Sequence, residues 1–226
     1  MDLGDFSREF DMLWDNIMSD KAPGLTEYEK SVFLTQAQEA LVYALYTGTS
    51  SDSFEETEQN AAMLVRLESQ AVLTEQEEVP SEGHIVPESV FYRLPSDLMF
   101  RTYESVVQTV PSCGDMSAVV QPVTQDEFWK AYRDPFRGPT RARALRLSHD
   151  KAEDGGVADL SEVVARYGVK SYLVRYLRHP RPIVLEDLPE GLSIEGLTAA
   201  TPCELDATLH RRIVSGAVSV AQSVWS

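Results

Sequence analysis

The sequence is poor in the residues from which chemical sites are usually built. Two cysteines, Cys113 and Cys203, lie far apart in 226 residues, and neither has a partner at metal-ligand spacing. That excludes a disulfide framework, and both are expected to be reduced, largely buried thiols. Four histidines, His84, His149, His179 and His210, are scattered singly, with none of the i, i+4 pairs that zinc-binding helices use. No G-x-G-x-x-G follows a strand, and the glycines at 155 and 156 lack the Lys-Ser/Thr of a phosphate loop. "GLSIEG", from Gly191, misses the G-x-S-x-G nucleophile elbow by one residue, so Ser193 reads as loop. "DKAEDGG", at 150–156, lacks the alternating acids of a calcium loop and reads as a solvated turn. No catalytic, cofactor-binding or metal-binding residue is expected, no cofactor is implied, and the chain is not expected to be an enzyme.

Long apolar runs are also missing. None approaches the roughly 20 residues of a membrane helix. "MDLGDFSREFD" is acidic where a secretory signal is basic and then apolar. A cytoplasmic product without a membrane partner is expected. At 43 % apolar the chain can bury a sizeable core as one large domain or two small ones.

Positive charge is scarce as well, with 20 Lys+Arg against 36 Asp+Glu and a net charge of -16. Together with the lack of zinc-finger, RNP or basic-zipper patterns, this argues against base-specific nucleic-acid binding. What positive charge exists is gathered in one block. Residues 1–129 carry 6 Lys+Arg against 24 Asp+Glu, residues 130–181 carry 12 against 6, and residues 182–226 carry 2 against 6. A basic block between acidic flanks points to a surface that meets an oppositely charged partner.

Two stretches of that block stand out. "RYLRHPRPIVLEDL", 175–188, places Arg175, Arg178 and Arg181 within seven residues, with Pro180 and Pro182 stiffening the chain. It reads as a basic arm able to reach a partner or, alternatively, as a solvated strand face with intrachain ion pairs. "DPFRGP", 134–139, sets Phe136 and Arg137 between two prolines. Phe136 is there either a core plug or an anchor for a partner's pocket.

Local patterns give the fold class. Phe6, Phe10, Leu13, Trp14 and Ile17 fall on one helical face and predict a helix ending near Ser19. Thr26 with Glu29, Ser53 with Glu56 and Thr124 with Glu127 have the spacing of capping boxes. They predict helices to about Tyr46, to about Leu67, and over about 125–133 where Pro135 stops the last. "EQEEVPSEGH" reads as a solvated loop. "VFYRL", "LMFRTYESVVQTV" and "SAVVQPV" are rich in β-branched and aromatic residues and predict strands. "VKSYLVRYLR" fits either period; Gly168 and Pro180 leave little room for a helix, so a strand is favoured. Leu205, Leu209, Ile213, Ala217, Val220 and Val224 mark a C-terminal helix. The expected fold is α+β and a single domain, 1–226. Its helical part is 1–67, its mainly antiparallel β-rich part 71–185, and its C-terminal helix 205–225 packs with the N-terminal helices.

Four stretches carry a resemblance: "EFDMLWDNIMSDKAPGLTEYEKSVFLTQAQEALV", "DPFRGP", "RYLRHPRPIVLEDL" and "CELDATLHRRIVSGAVSVA". In that order, from Glu9 to Ala221, the chain resembles the neck ring or head-to-tail adaptor proteins, the first ring, of crAss-like and related tailed bacteriophages. The chain is expected to depart from that family mainly in the acidic segment 50–90. The resemblance implies a non-enzymatic virion protein that assembles as a homo-oligomeric ring of twelve under the portal and touches other neck or tail proteins. Genomic DNA would pass through its lumen without sequence-specific binding. It also implies residence in the virion neck, and in the host cytoplasm during assembly. Acid along such a channel lets DNA slide, because each phosphate held by a cation adds non-specific affinity. The competing reading is a soluble acidic binding or adaptor module with no virion role. Phe136, Arg137, Arg175, Arg178 and Arg181 are the interface candidates.

Overall fold

The computed structural model describes residues 1–18, 24–48, 54–111, 113–153 and 156–225. In chain order its main elements are α1 (Leu3–Met18), α2 (Glu27–Thr47), α3 (Phe54–Leu64), β1 (Glu68–Leu73), β2 (Val90–Arg93), β3 (Leu98–Val110), β4 (Gly114–Pro122), α4 (Phe128–Arg133), β5 (Arg143–Glu153), β6 (Gly156–Val164), β7 (Val169–Arg178) and α5 (His210–Trp225). The fold is α+β, as its sequence patterns predict. It divides into a helical unit, Met1–Leu67 with His179–Ser226, and a sheet unit, Glu68–Arg178.

In the helical unit, α2 is the central element. It starts as the pattern requires: the Thr26 hydroxyl accepts the Glu29 N–H, and the Glu29 carboxylate accepts the Thr26 N–H at 2.8 Å. The second box, Ser53 with Glu56, lies outside the described residues. α1 buries Phe6, Phe10 and Trp14. Lys30 of α2, itself buried, joins the two helices by reaching Asp11 at 2.7 Å, Glu27 at 2.9 Å and Ser7 at 3.1 Å. Burial opposes its charge, but the hydrogen bonds it donates to Asp11 and Glu27 outweigh that and hold the ammonium pKa above its usual value. α5 packs on α2 and approaches closely at Gly216, where an added Cβ would lie 3.4 Å from that of Ala37. Its buried face runs Ile213, Val214, Ala217, Val218 and Ala221, continued by Leu209 of the turn before it. The expected Val224 is exposed instead, in the last turn of the helix.

The face of α2 turned inward is partly polar, and its purpose is visible only in three dimensions. Ser31, Thr35 and Gln38 are buried at i, i+4 and i+7. They face the extended segment 181–185, here called the strap. The Leu185 N–H donates to Ser31 Oγ at 3.0 Å, the Ile183 N–H donates to Thr35 Oγ1 at 3.1 Å, and Gln38 Nε2 donates to the Arg181 carbonyl at 2.8 Å. Four helical residues rise about 6 Å and two extended residues about 6.6 Å, so the two periods stay in step over this length. Val184, between them, pairs instead with Thr201 through both backbone groups, at 3.0 and 2.9 Å. Pro180 and Pro182 are buried and have no N–H to satisfy. The Gln38 carbonyl accepts the Cys203 thiol at 3.2 Å, and burial pushes that thiol up to about 11. Cys113, by contrast, is exposed beside the β3–β4 turn rather than buried.

The strap therefore lies outside the sheet, which spans 68–178 rather than continuing to 185. Beyond it, Ile194 and Leu197 bond each other at 2.9 Å both ways across Glu195 (φ 49°) and Gly196 (φ 82°). A two-residue hairpin with both central φ values positive is the type I′ turn. The "GLSIEG" stretch is thus a tight turn, and Ser193 is exposed on it.

The sheet unit has seven strands in the order β1-β7-β3-β4-β5-β6-β2. Every pair is antiparallel except β4–β5. The strand favoured for "VKSYLVRYLR" is β7. The sheet curls, bringing Tyr92 of β2 within 5.4 Å, ring to ring, of Tyr172 of β7. Alternate residues fill the interior, among them Val106, Ala118, Val120, Ala144, Val163, Val174 and Tyr176. The parallel pair has a consequence: it cannot be closed by a hairpin and needs a long crossover. That crossover, 123–142, contains α4 and the "DPFRGP" loop.

α4 begins later than its sequence predicts. Glu127 is its N-cap, in helical φ/ψ and without a side-chain cap bond, so the Thr124–Glu127 capping box does not form. Residues 124–127 are instead a turn in which the Glu127 N–H reaches the Thr124 carbonyl at 3.2 Å. This places Thr124 one turn too early to cap the helix.

Two outcomes are expected. Thr35→Val keeps the shape but leaves the Ile183 amide unpaired in a buried place, which should cost about 1–3 kcal/mol in chemical denaturation. Glu195→Asn should raise stability by about 0.5–1 kcal/mol by suiting the left-handed backbone. Burial, with the Glu39 carboxylate adding to it, raises the Glu195 pKa. The folded chain therefore holds that proton more tightly than the unfolded one. Its contribution is present at low pH and lost as pH rises through the folded pKa, so the gain from Asn should be larger at neutral than at acid pH.

Candidate interaction surface

The "DPFRGP" loop follows α4 directly. α4 is seated by Phe128 and Ala131, which pack with Val86, Leu145, Leu147 and Val164 on the outer side of β5 and β6. From that base Asp134 organises the loop. Its Oδ1 accepts the Phe136 N–H at 2.8 Å, and its carbonyl accepts the Gly138 N–H at 2.7 Å and the Arg137 N–H at 3.2 Å. The Arg143 guanidinium donates to the Phe136 carbonyl. Gly138 is buried, and a Cβ there would stand 2.8 Å from the Tyr132 carbonyl and 2.9 Å from that of Asp134. Only glycine fits this close approach of backbones.

The loop holds its backbone and releases its side chain: Phe136 is 85 % exposed. It is not a core plug. Arg137 extends beside it, 3.9 Å from Glu127. Trp129, 46 % exposed on α4, carries the Arg133 guanidinium 5.4 Å from its ring centroid. Sequence reasoning read Trp129 only as part of a short helix. The signal that could have found it is the i, i+4 spacing to Arg133 on a helix whose buried positions are Phe128 and Ala131.

The arginines of the other stretch do not form a free arm. Arg175 lies on the outer face of β7, where Nε donates to Gln70 at 3.1 Å and the guanidinium sits 5.7 Å from the Tyr103 ring centroid. Arg178 closes the same strand and lies near the Tyr176 phenol. Arg181 belongs to the helical unit: its backbone is bound by Gln38, and its Nε is 3.3 Å from Glu204. The intrachain ion pair that was the alternative reading is present for Arg181, and the prolines serve the buried strap.

The outer sheet face holds another feature missed in sequence. The pairing registers align Val72, Leu173, Ser105, Val119 and Arg143 across β1, β7, β3, β4 and β5. Val72 is 56 % and Val119 53 % exposed. The row is invisible in the sequence because its members lie on five different strands and only the register joins them.

Inside the sheet, buried charges are paired with one another. Glu104 accepts the Tyr172 phenol and lies 3.1 Å from Arg146 Nε, while Arg101 grips Asp159 with two contacts at 2.8 and 3.0 Å. Burial first, and the Glu104 carboxylate next, push the Tyr172 phenol well up. Two arginines against two carboxylates leave this cluster neutral, which suits a structural role.

The histidines are likewise occupied. His84 meets Ser89 Oγ at 2.9 Å, His149 meets the buried Glu162 at 2.8 Å, His179 meets Glu39 at 3.2 Å and His210 meets the Leu205 carbonyl at 3.2 Å. Among the described residues no group of three or more His, Cys, Asp or Glu could hold a metal ion, and no helix is long and apolar enough to cross a membrane.

A chain whose buried charges are paired internally, and whose conspicuous surface is an exposed aromatic in a basic stretch, has the character of an assembly component. Comparison with known proteins gives the family. Residues 1–224 match the model of phage tail ring protein 3/4, and the chain belongs to that family of crAss-like phage ring proteins. It is 39 % identical over 204 residues to Ring protein 3 of Bacteroides phage crAss001, covering 87 % of this chain and 84 % of that protein. It is also 29 % identical over 234 residues to Ring protein 4/5 of the same phage, covering 100 % of this chain and 94 % of that protein. The resemblance seen in the sequence is to the right family, but the matching ring proteins are numbered 3 and 4/5 rather than first.

The loop geometry leads to a direct test. Gly138→Ala should lower stability by about 1–3 kcal/mol, since its Cβ meets backbone oxygens that cannot rotate away. Thermal melting of the purified variant measures it.

Proposed function

We propose that the chain is a non-enzymatic structural subunit of a homo-oligomeric ring in the phage neck, in which it helps join the portal to the tail and lets the genome pass. The whole-chain match to a ring protein family carries this reading. A ring of identical subunits needs two different patches per copy, since a heterologous contact closes only by rotation. The uneven charge supplies two: a basic block within 130–181 and strongly acidic flanks. The net charge of -16 also suits a lumen along which DNA slides without being gripped. In this reading both units act within one adaptor subunit, twelve subunits make the ring, and Arg175, Arg178, Arg181, Phe136 and Arg137 face neighbours or the portal.

The test is the triple reversal of Arg175, Arg178 and Arg181 to Glu. Where these cations meet desolvated acids of a neighbour, reversal costs several kcal/mol, and assembly with portal should fail while the monomer melts normally. Purely intrachain surface pairs are worth about 0–1 kcal/mol each, and rings of normal yield would reject the assignment. Normal rings with lost, salt-sensitive DNA retention would move these arginines to the lumen. A wild-type chain that stays monomeric and ignores portal would favour an acidic binding module outside the virion.

A further inference from the structure

We infer that the Phe136 loop is the knob of the subunit–subunit contact, and that it docks on the acidic helical unit of a second copy of this chain. This rests on the ring reading and adds the surface and its receptor. The first observation is presentation. Phe136 is 85 % exposed, yet its loop is held by the Asp134 carboxylate and carbonyl, by the Arg143 guanidinium, and by the close approach at Gly138. An exposed phenyl on a fixed backbone has already lost the freedom that binding would otherwise remove, which is the property of an interface anchor.

The second observation is charge. Residues 130–143 carry five Lys+Arg and one acid, Asp134, whose carboxylate is engaged inside the loop. The knob therefore sits in a basic stretch, with Arg133, Arg137 and Arg141 as its neighbours in sequence. The helical unit carries 7 Lys+Arg against 19 Asp+Glu, net -12, whereas the sheet unit carries 13 against 17, net -4. The surface of a second copy best matched in charge to this basic stretch is its helical unit. Knob and receptor then lie on different units of the chain, as a head-to-tail contact requires. DNA is the weaker partner for this patch, because phosphates would satisfy the arginines but leave the phenyl ring without an apolar pocket.

The experiment uses the full chain. Phe136→Ala and Arg137→Glu are compared with wild type by light scattering and negative-stain imaging, with thermal melting as the folding control. A photoreactive phenylalanine analogue at 136, in a mixture of isotopically light and heavy copies, identifies the receptor by mass spectrometry. The expected result is annular wild-type particles, a requirement for about tenfold higher concentration or more to assemble either variant, and unchanged melting. Crosslinks between copies should fall within 1–67 or 179–226. Variants that form rings as wild type does, or crosslinks that fall within 68–178 of the second copy or on DNA, overturn the inference and leave the ring reading standing. A wild-type chain that forms no annular particle overturns both.

Discussion

The match between a helix and an extended strap holds the helical unit in register. Ser31, Thr35 and Gln38 are polar residues on the face of α2 that would ordinarily be apolar, and each binds the backbone of the strap at 181, 183 or 185. A buried backbone without a sheet neighbour must find side-chain partners. The alternation of the strap sends Val184 the other way, to Thr201. Leu185 can be buried because its amide is satisfied, and so can Ile183. The two prolines lie where a missing donor harms nothing. What looks in sequence like a basic arm is, in its backbone, one of the most constrained segments of the unit.

A different constraint shapes the sheet unit. Because β4 and β5 are parallel, the chain between them must cross over, and the crossover is the place where chain can be spent on a surface feature. α4 anchors it through Phe128 and Ala131, and the Asp134–Gly138 turn then projects Phe136. Rigid support below and an exposed ring above are two results of one topology. The paired interior charges of Glu104, Arg146, Arg101 and Asp159 give the sheet a polar centre without net charge.

Much of the fold was legible in the sequence where local physics decides it. The capping box at Thr26, the apolar face of α1 and the β-branched strands need only near neighbours, and they appear as read. Family membership was legible too, since it is carried by ordered stretches along the whole chain. The basic block between acidic flanks is a property of composition alone. Tertiary structure decided the remainder. Thr124 fails as a cap because a turn intervenes, and Val224, on the predicted face, is exposed in the last turn of α5. Phe136 has the same neighbours in sequence whether it plugs a core or faces solvent; only the packing of α4 settles that it is exposed. Likewise the cross-strand row from Val72 to Val119 and the ladder from α2 to the strap join residues far apart along the chain. Their existence depends on register, which no local pattern encodes.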